Sequence, residues 1–140
     1  MIRKFETTDM KDVLTIWLDA SIQAHDFIEA DYWRSNLDSM RDVYLPASEV
    51  VVAQVDTKVV GFYALHGNHL AAIFVDPKKQ GKGIGKELLQ HAKAQRPTLT
   101  LNVYQENVSS YEFYLKQGFK VETEQVDEHT GHKEYVMVFS

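Results

Sequence analysis

The sequence predicts one mixed α/β domain, and three observations carry that reading. Short β-branched runs, such as Val50-Val51-Val52 and Val59-Val60-Gly61-Phe62, alternate with segments whose apolar residues recur every three to four positions. The length, 140 residues, suits one domain and lets such a chain bury roughly two-thirds of its unfolded surface. No repeat, linker or low-complexity stretch divides it, so residues 1–140 read as a single unit.

Met1 to Phe5 alternates loosely and is expected to be a first strand. Thr7-Thr8-Asp9 offers N-cap residues for a helix through about residue 24, with Met10, Val13, Leu14, Trp17 and Leu18 on its buried face. A second helix is expected over about Ala30 to Val43, with Tyr32, Trp33, Leu37 and Met40 inward and Pro46 ending the region. Val50–Val55 and Val59–Leu65 read as a hairpin. His69–Val75 follows as a nearly all-apolar strand, expected to be central and covered on both faces, and Asp76-Pro77 stops it. A helix from about Gly83 to Gln95 carries Ile84, Leu88, Leu89 and Ala92 on one stripe. Thr98–Tyr104 is a strand and Val108–Gln117 a helix that stops at Gly118. Phe119–Val126 and Tyr135–Phe139 are strands joined around His129-Thr130-Gly131.

Composition narrows the function classes. Fifteen Lys and Arg against 20 Asp and Glu give a formal net charge of −5, which argues against nucleic acid as the main partner. The absence of cysteine excludes a disulfide scaffold, a cysteine nucleophile and thiolate metal sites. It also fits the reducing cytoplasm, the expected location. No leader is visible in Met1-Ile2-Arg3-Lys4-Phe5-Glu6, and the longest apolar runs fall well short of the ~20 residues a membrane helix needs. No two of the 6 histidines have helical zinc-site spacing, so no metal is expected.

The chemistry begins at Val75-Asp76-Pro77-Lys78-Lys79-Gln80-Gly81-Lys82-Gly83-Ile84-Gly85-Lys86. Here a strand ends, a glycine-rich turn follows and a helix starts. Glycine lets backbone approach a ligand closely, and a helix start offers unpaired N–H groups and the positive end of its dipole. Lys78, Lys79, Lys82 and Lys86 add cations in an acidic protein, so the expected ligand carries phosphate. A P-loop requires Ser or Thr after its lysine, but Glu87 follows Lys86. A dinucleotide fingerprint starting at Gly81 and Gly83 requires a third glycine at 86, which is lysine.

Gln80, Gly83 and Gly85 do fit the pattern Q/R-x-x-G-x-G/A, and here the sequence resembles the GNAT family of N-acetyltransferases. Asn107, Tyr111, Phe113, Tyr114, Gly118 and Phe119 resemble that family's second signature, in the right order and spacing. The segments His25-Asp26-Phe27-Ile28, Tyr32-Trp33-Arg34, Arg41-Asp42 and Tyr44-Leu45 are similar to small bacterial members that include protein-lysine acetyltransferases. The resemblance implies a GNAT-like α/β (α+β) domain in the order β-α-α-β-β-β-α-β-α-β-β. Its central sheet would be mixed, mostly antiparallel, with six to seven strands and about four flanking helices. It implies acetyl-CoA as cosubstrate, no metal, and direct transfer of the acetyl group to a primary amine. That amine would be a protein lysine, a protein N-terminus or a small molecule, presented to a monomer or homodimer.

By the same resemblance, backbone of Ile73, Phe74 and Val75 would pair with the pantetheine amides. Gln80, Gly81, Lys82, Gly83, Ile84, Gly85 and Lys86 would hold the pyrophosphate. Tyr114 would be the general acid for the departing thiolate, a role that suits a phenol with an ordinary pKa of about 10. Asn107 would contact the cofactor, cap its helix, or do both. Asn102 departs from the pattern, since some members carry a glutamate there as base and an amide cannot take a proton. Neutralising a lysine at pH 7 costs about 4–5 kcal/mol, so a substitute is needed. His25 is the first choice, ahead of Asp26, Glu29, His69 or a water chain. The vacancy also keeps open a second reading, a non-catalytic acyl-CoA-binding module of the same fold. Trp17 and Trp33 read first as core and second as the floor of an acceptor groove.

Overall fold

The computed structural model describes residues 1–140 and forms one seven-stranded sheet. Its strands are β1 (Ile2–Lys4), β2 (Glu49–Val55), β3 (Lys58–His66), β4 (His69–Val75), β5 (Leu99–Tyr104), β6 (Lys120–Val126) and β7 (Lys133–Phe139), in the order β1-β2-β3-β4-β5-β7-β6. All neighbours are antiparallel except β4 and β5, which run parallel. The helices are α1 (Met10–Ala24), α2 (Ala30–Ser35), α3 (Leu37–Ser39), α4 (Ile84–Gln95) and α5 (Val108–Lys116). None is long and apolar enough to cross a membrane.

Two cores cover the two faces. Leu88, Leu89 and Ala92 of α4 pack with Val60, Tyr63, Leu99, Leu101, Val103, Phe119 and Met137. Val13, Ile16 and Trp17 of α1 pack with Trp33, Val50, Val52, Phe62 and Ala64 on the other side. The period-two alternation of β3 sends Phe62 and Ala64 to one core and Tyr63 and Leu65 to the other. At Gly61 an added Cβ would sit 3.0 Å from Leu88 Cδ1 and 3.0 Å from the Phe74 carbonyl oxygen, so its missing side chain lets α4 lie close on the sheet.

Two expectations are corrected. The helix expected over Ala30 to Val43 breaks at Asn36, whose Nδ2 donates to the Tyr32 carbonyl at 2.7 Å. An asparagine that takes a backbone partner in this way competes with helix propagation. The chain continues as the single turn α3 and then as a wide turn over Met40–Tyr44, closed by Leu45 N–H donating to Met40 O at 3.0 Å. The strand covered on both faces is β3, buried from Val59 through Leu65. In β4 only Leu70 is fully buried. The apolar run of β4 lines an opening.

Candidate active site

That opening exists because β4 and β5 meet at one residue pair. His69 is in register with Thr100, and beyond it the two strands diverge without a further pairing. On its other side β4 pairs with β3 up to Val75, so the β5-facing backbone of residues 71–75 is left without a ladder. Backbone N–H and C=O groups require partners, and such an edge can accept an extended amide-bearing ligand as a further strand. The register shifts between Ala64↔Ala72 and Leu65↔Leu70, which leaves Ala71 as an extra residue that bulges β4. The resulting cavity measures about 930 Å³, within the range of ligand sites.

One end of the cavity is built for an anion. Asp76 caps a turn over Pro77–Lys79, its side chain accepting from Lys78 N–H at 3.0 Å. Gln80 follows, with Nε2 donating to the Val75 carbonyl at 3.2 Å, which ties the turn to the end of β4. Gly81 (φ +81°) and Gly83 (φ +82°) both adopt the left-handed conformation that a Cβ disfavours. Gly83 is the N-cap of α4, and the first amide to find an intrahelical partner is that of Glu87, which donates to Gly83 O at 3.0 Å. The N–H groups of Ile84, Gly85 and Lys86 are left free at the positive end of the helix. Gln80, Gly81, Gly83, Ile84, Gly85 and Lys86 all border the cavity with Ile73, Phe74 and Val75. Lys79 does so too, whereas Lys82 does not and points to solvent.

Tyr114, on α5, reaches the same cavity between the rings of Phe113 and Phe119, whose centroids lie 5.5 and 5.8 Å away. Burial pushes its phenol well above the ordinary value, so it stays protonated at neutral pH. Asn107 is buried at the start of α5, where Oδ1 accepts from Ser110 N–H at 3.3 Å. Its Nδ2 lies 3.3 Å from His25 Nε2. This contact makes Nε2 the acceptor and assigns the imidazole proton to Nδ1.

His25 does not sit in an open loop. It is 7% exposed, stacked on Trp33 at 5.0 Å and packed edge-on against Phe27 and Tyr104. Burial lowers its pKa to about 4, which keeps it neutral and makes it a weak proton acceptor. His69 is also held neutral by burial, and its Nδ1 meets Thr100 Oγ1 at 2.8 Å. Asp26 stands exposed at the rim, and Glu29 precedes α2 away from the cavity. Trp17 and Trp33 are buried core, the first reading of them, and both also border the cavity.

Two contributors were not foreseen from the residues, the bulged Ala71 and Glu134, whereas Lys79 at the mouth is one of the four lysines singled out in the glycine turn. Glu134 was hidden by a boundary. The strand expected from Tyr135 begins at Lys133, which brings Glu134 into register opposite Tyr104 and into the cavity wall. A second hollow of about 260 Å³ adjoins the cavity across Trp17, Trp33, Ala71 and Ala72, with Tyr32, Met40, Tyr44 and His129 around it.

Known proteins share this fold. Residues 15–139 match the acetyltransferase (GNAT) domain family. Over 122 residues the chain is 39% identical to peptidyl-lysine N-acetyltransferase YiaC of Escherichia coli, covering 86% of this chain and 84% of that protein. The solution structure of apo-form YjaB from Escherichia coli agrees with a TM-score of 0.87 at 32% identity, covering 99% of this chain and 96% of that one. PaiA N-acetyltransferase from Thermoplasma acidophilum, solved in complex with coenzyme A, shares the fold with a TM-score of 0.83 at 23% identity, over 99% of this chain and 96% of that one. A parted β4 and β5, a glycine-capped helix start beyond them, and a match spanning most of the sequence lead to one conclusion: the chain belongs to the GNAT family of acetyltransferases.

Proposed function

We propose that the acceptor of this acetyl-CoA-dependent N-acetyltransferase is the side-chain amine of a protein lysine. The observation that carries the reading is the gap between β4 and β5, which joins a cationic glycine turn to an aromatic hollow. A diphosphate suits the free amides of Ile84, Gly85 and Lys86, with Lys79 and Lys86 adding charge. The two amides of a pantetheine arm suit the unladdered edge at Ile73, Phe74 and Val75. The thioester then falls near the bulge at Ala71, where strand N–H groups would receive the oxyanion. The hollow behind Ala71 and Ala72 is mostly apolar and aromatic, a lining that suits the four-carbon stem of a lysine. The 39% identity to a protein named as a peptidyl-lysine N-acetyltransferase supports the same acceptor.

In this reading the neutral amine attacks the thioester carbonyl directly, since the chain has no cysteine to form an acyl-enzyme. The N–C bond forms, the C–S bond breaks, and Tyr114 supplies the proton that the departing thiolate takes up. With a pKa raised above that of a thiol, Tyr114 is suited to donate only as the nitrogen returns a proton to it. The test is release of free coenzyme A with three acceptors: a single-lysine peptide with a blocked N-terminus, a lysine-free peptide with a free α-amine, and a small diamine. Preferred turnover of the lysine peptide is expected. Preference for either other amine would overturn the lysine assignment. Calorimetric binding of acetyl-CoA without thiol release from any of the three would favour the non-catalytic module.

A further inference from the structure

We propose that Glu134 is the base that takes the proton from the acceptor ammonium, and that Gln125 positions its carboxylate; the assignment rests on the transferase reading above. Glu134 is in register with Tyr104, and Val136 with Asn102. Residues directly opposite in an antiparallel pair share a face, so Glu134 lies on the side of Asn102 and diagonally next to it, within reach of a long side chain. That face looks toward the α1–α2 connection, because the Tyr104 ring packs on His25 and Phe27. Tyr135 turns the other way and stacks on Tyr111 of α5 at 4.6 Å. Glu134 therefore borders the cavity from the side of the aromatic hollow.

Among the three carboxylates in the cavity wall, Glu134 alone is buried, at 9% exposure. Asp26 is open to solvent, and Glu106 is paired with His132 Nδ1 at 2.7 Å. Glu134 takes part in none of the ion pairs of the chain. Its partner is neutral: Gln125 on β6 donates Nε2–H to Oε1 at 2.6 Å. A desolvated carboxylate without a counter-charge is completed by an incoming ammonium. In that shared, dry setting both groups gain by passing a proton and becoming neutral.

The groups around it favour proton uptake. Burial raises the carboxyl of Glu134, Gln125 lowers it, and the negative charge of Asp127 at the end of β6 raises it again. Tyr104 opposite is a neutral phenol bonded to Asp127, His25 behind it is neutral, and His132 is engaged with Glu106. The step balances. One ammonium proton passes to Glu134 and on to solvent. The neutral nitrogen attacks, the thiolate takes the Tyr114 proton, and the second nitrogen proton restores the phenol.

The experiment compares wild type, Glu134→Gln, Glu134→Asp and Gln125→Ala in kcat/KM against pH with the single-lysine peptide, alongside acetyl-CoA affinity. For Glu134→Gln a loss of about 100-fold at pH 7 is expected with unchanged acetyl-CoA Kd. Its activity should climb about tenfold per pH unit as the peptide amine deprotonates unaided. Glu134→Asp should restore part of the rate. Gln125→Ala, on the exposed strand β6, should move the acidic limb to higher pH while keeping the plateau, because it removes the contact that lowers the Glu134 pKa. A Glu134→Gln profile that overlays wild type, or an acidic limb that does not move in Gln125→Ala, overturns the assignment alone. Absence of transfer by wild type to any amine overturns it together with the transferase reading.

Discussion

His69 and Thr100 are the one pair at which β4 and β5 are in register, and their side chains meet there as well, Nδ1 to Oγ1 at 2.8 Å. The pair is the hinge of the opening. Below it the sheet is continuous through Asn68, whose carbonyl accepts from Thr100 N–H at 2.9 Å; above it the strands diverge around the cavity.

Thr100→Val keeps the β-branched shape and removes the hydroxyl. We expect a stability loss of about 1 kcal/mol in urea unfolding, the usual net worth of such a bond. Acetyl-CoA affinity should change little, because the free edge of β4 starts beyond this point.

Gly83 and Gly85 belong to one motif for different reasons. Gly83→Ala forces a Cβ into a left-handed backbone (φ +82°) and should cost about 1–2 kcal/mol, read as a lower Tm and a weaker acetyl-CoA Kd. At Gly85 a Cβ would meet Val75 Cγ2 at 3.6 Å and Phe113 Cζ at 3.9 Å, both ordinary contacts. Gly85→Ala should therefore leave Tm unchanged, so any loss of acetyl-CoA affinity in that variant reports close approach of the ligand.

Tyr114→Phe keeps the ring between Phe113 and Phe119 and deletes the hydroxyl proposed as the acid. A kcat loss of 10²–10⁴ with unchanged acetyl-CoA affinity is expected in steady-state kinetics and calorimetry. Unchanged turnover would remove Tyr114 from the mechanism.

Acid should unfold this protein partly through His25. Its pKa is about 4 folded against 6.5 when unperturbed, so the unfolded state binds the proton more readily. The stabilisation is therefore complete above pH 6.5 and is lost as pH falls toward 4, by about 3 kcal/mol over that window. His69, lowered in the same direction, adds to the slope. Urea midpoints measured from pH 7.5 to 4 should fall steeply in wild type and less steeply in His25→Gln. Equal slopes would place the acid sensitivity elsewhere.

Much of the site was legible because it is local. The turn from Gln80 to Lys86 is a run of neighbours whose backbone conformation follows from glycine placement, and α5 with Asn107 at its cap and Gly118 beyond its end follows from residue type and spacing. What escaped was set by one local side-chain contact and by non-local pairing. The break at Asn36 is one side chain taking a carbonyl that the helical periodicity had assigned to the next turn. The partial exposure of β4 could not be seen in an all-apolar segment, since nothing within it announces that its neighbour turns away.

From the residues alone came the α/β alternation, the glycine turn at the start of α4, and a phenol at position 114. Only the tertiary structure decided that His25 is sealed among aromatic rings, that Ala71 is an extra residue in its strand, and that Glu134 faces the cavity rather than solvent. The physical reason is range. Backbone preference and capping act over a few residues along the chain, whereas desolvation, register and the charge a side chain can carry depend on strands brought together from distant segments.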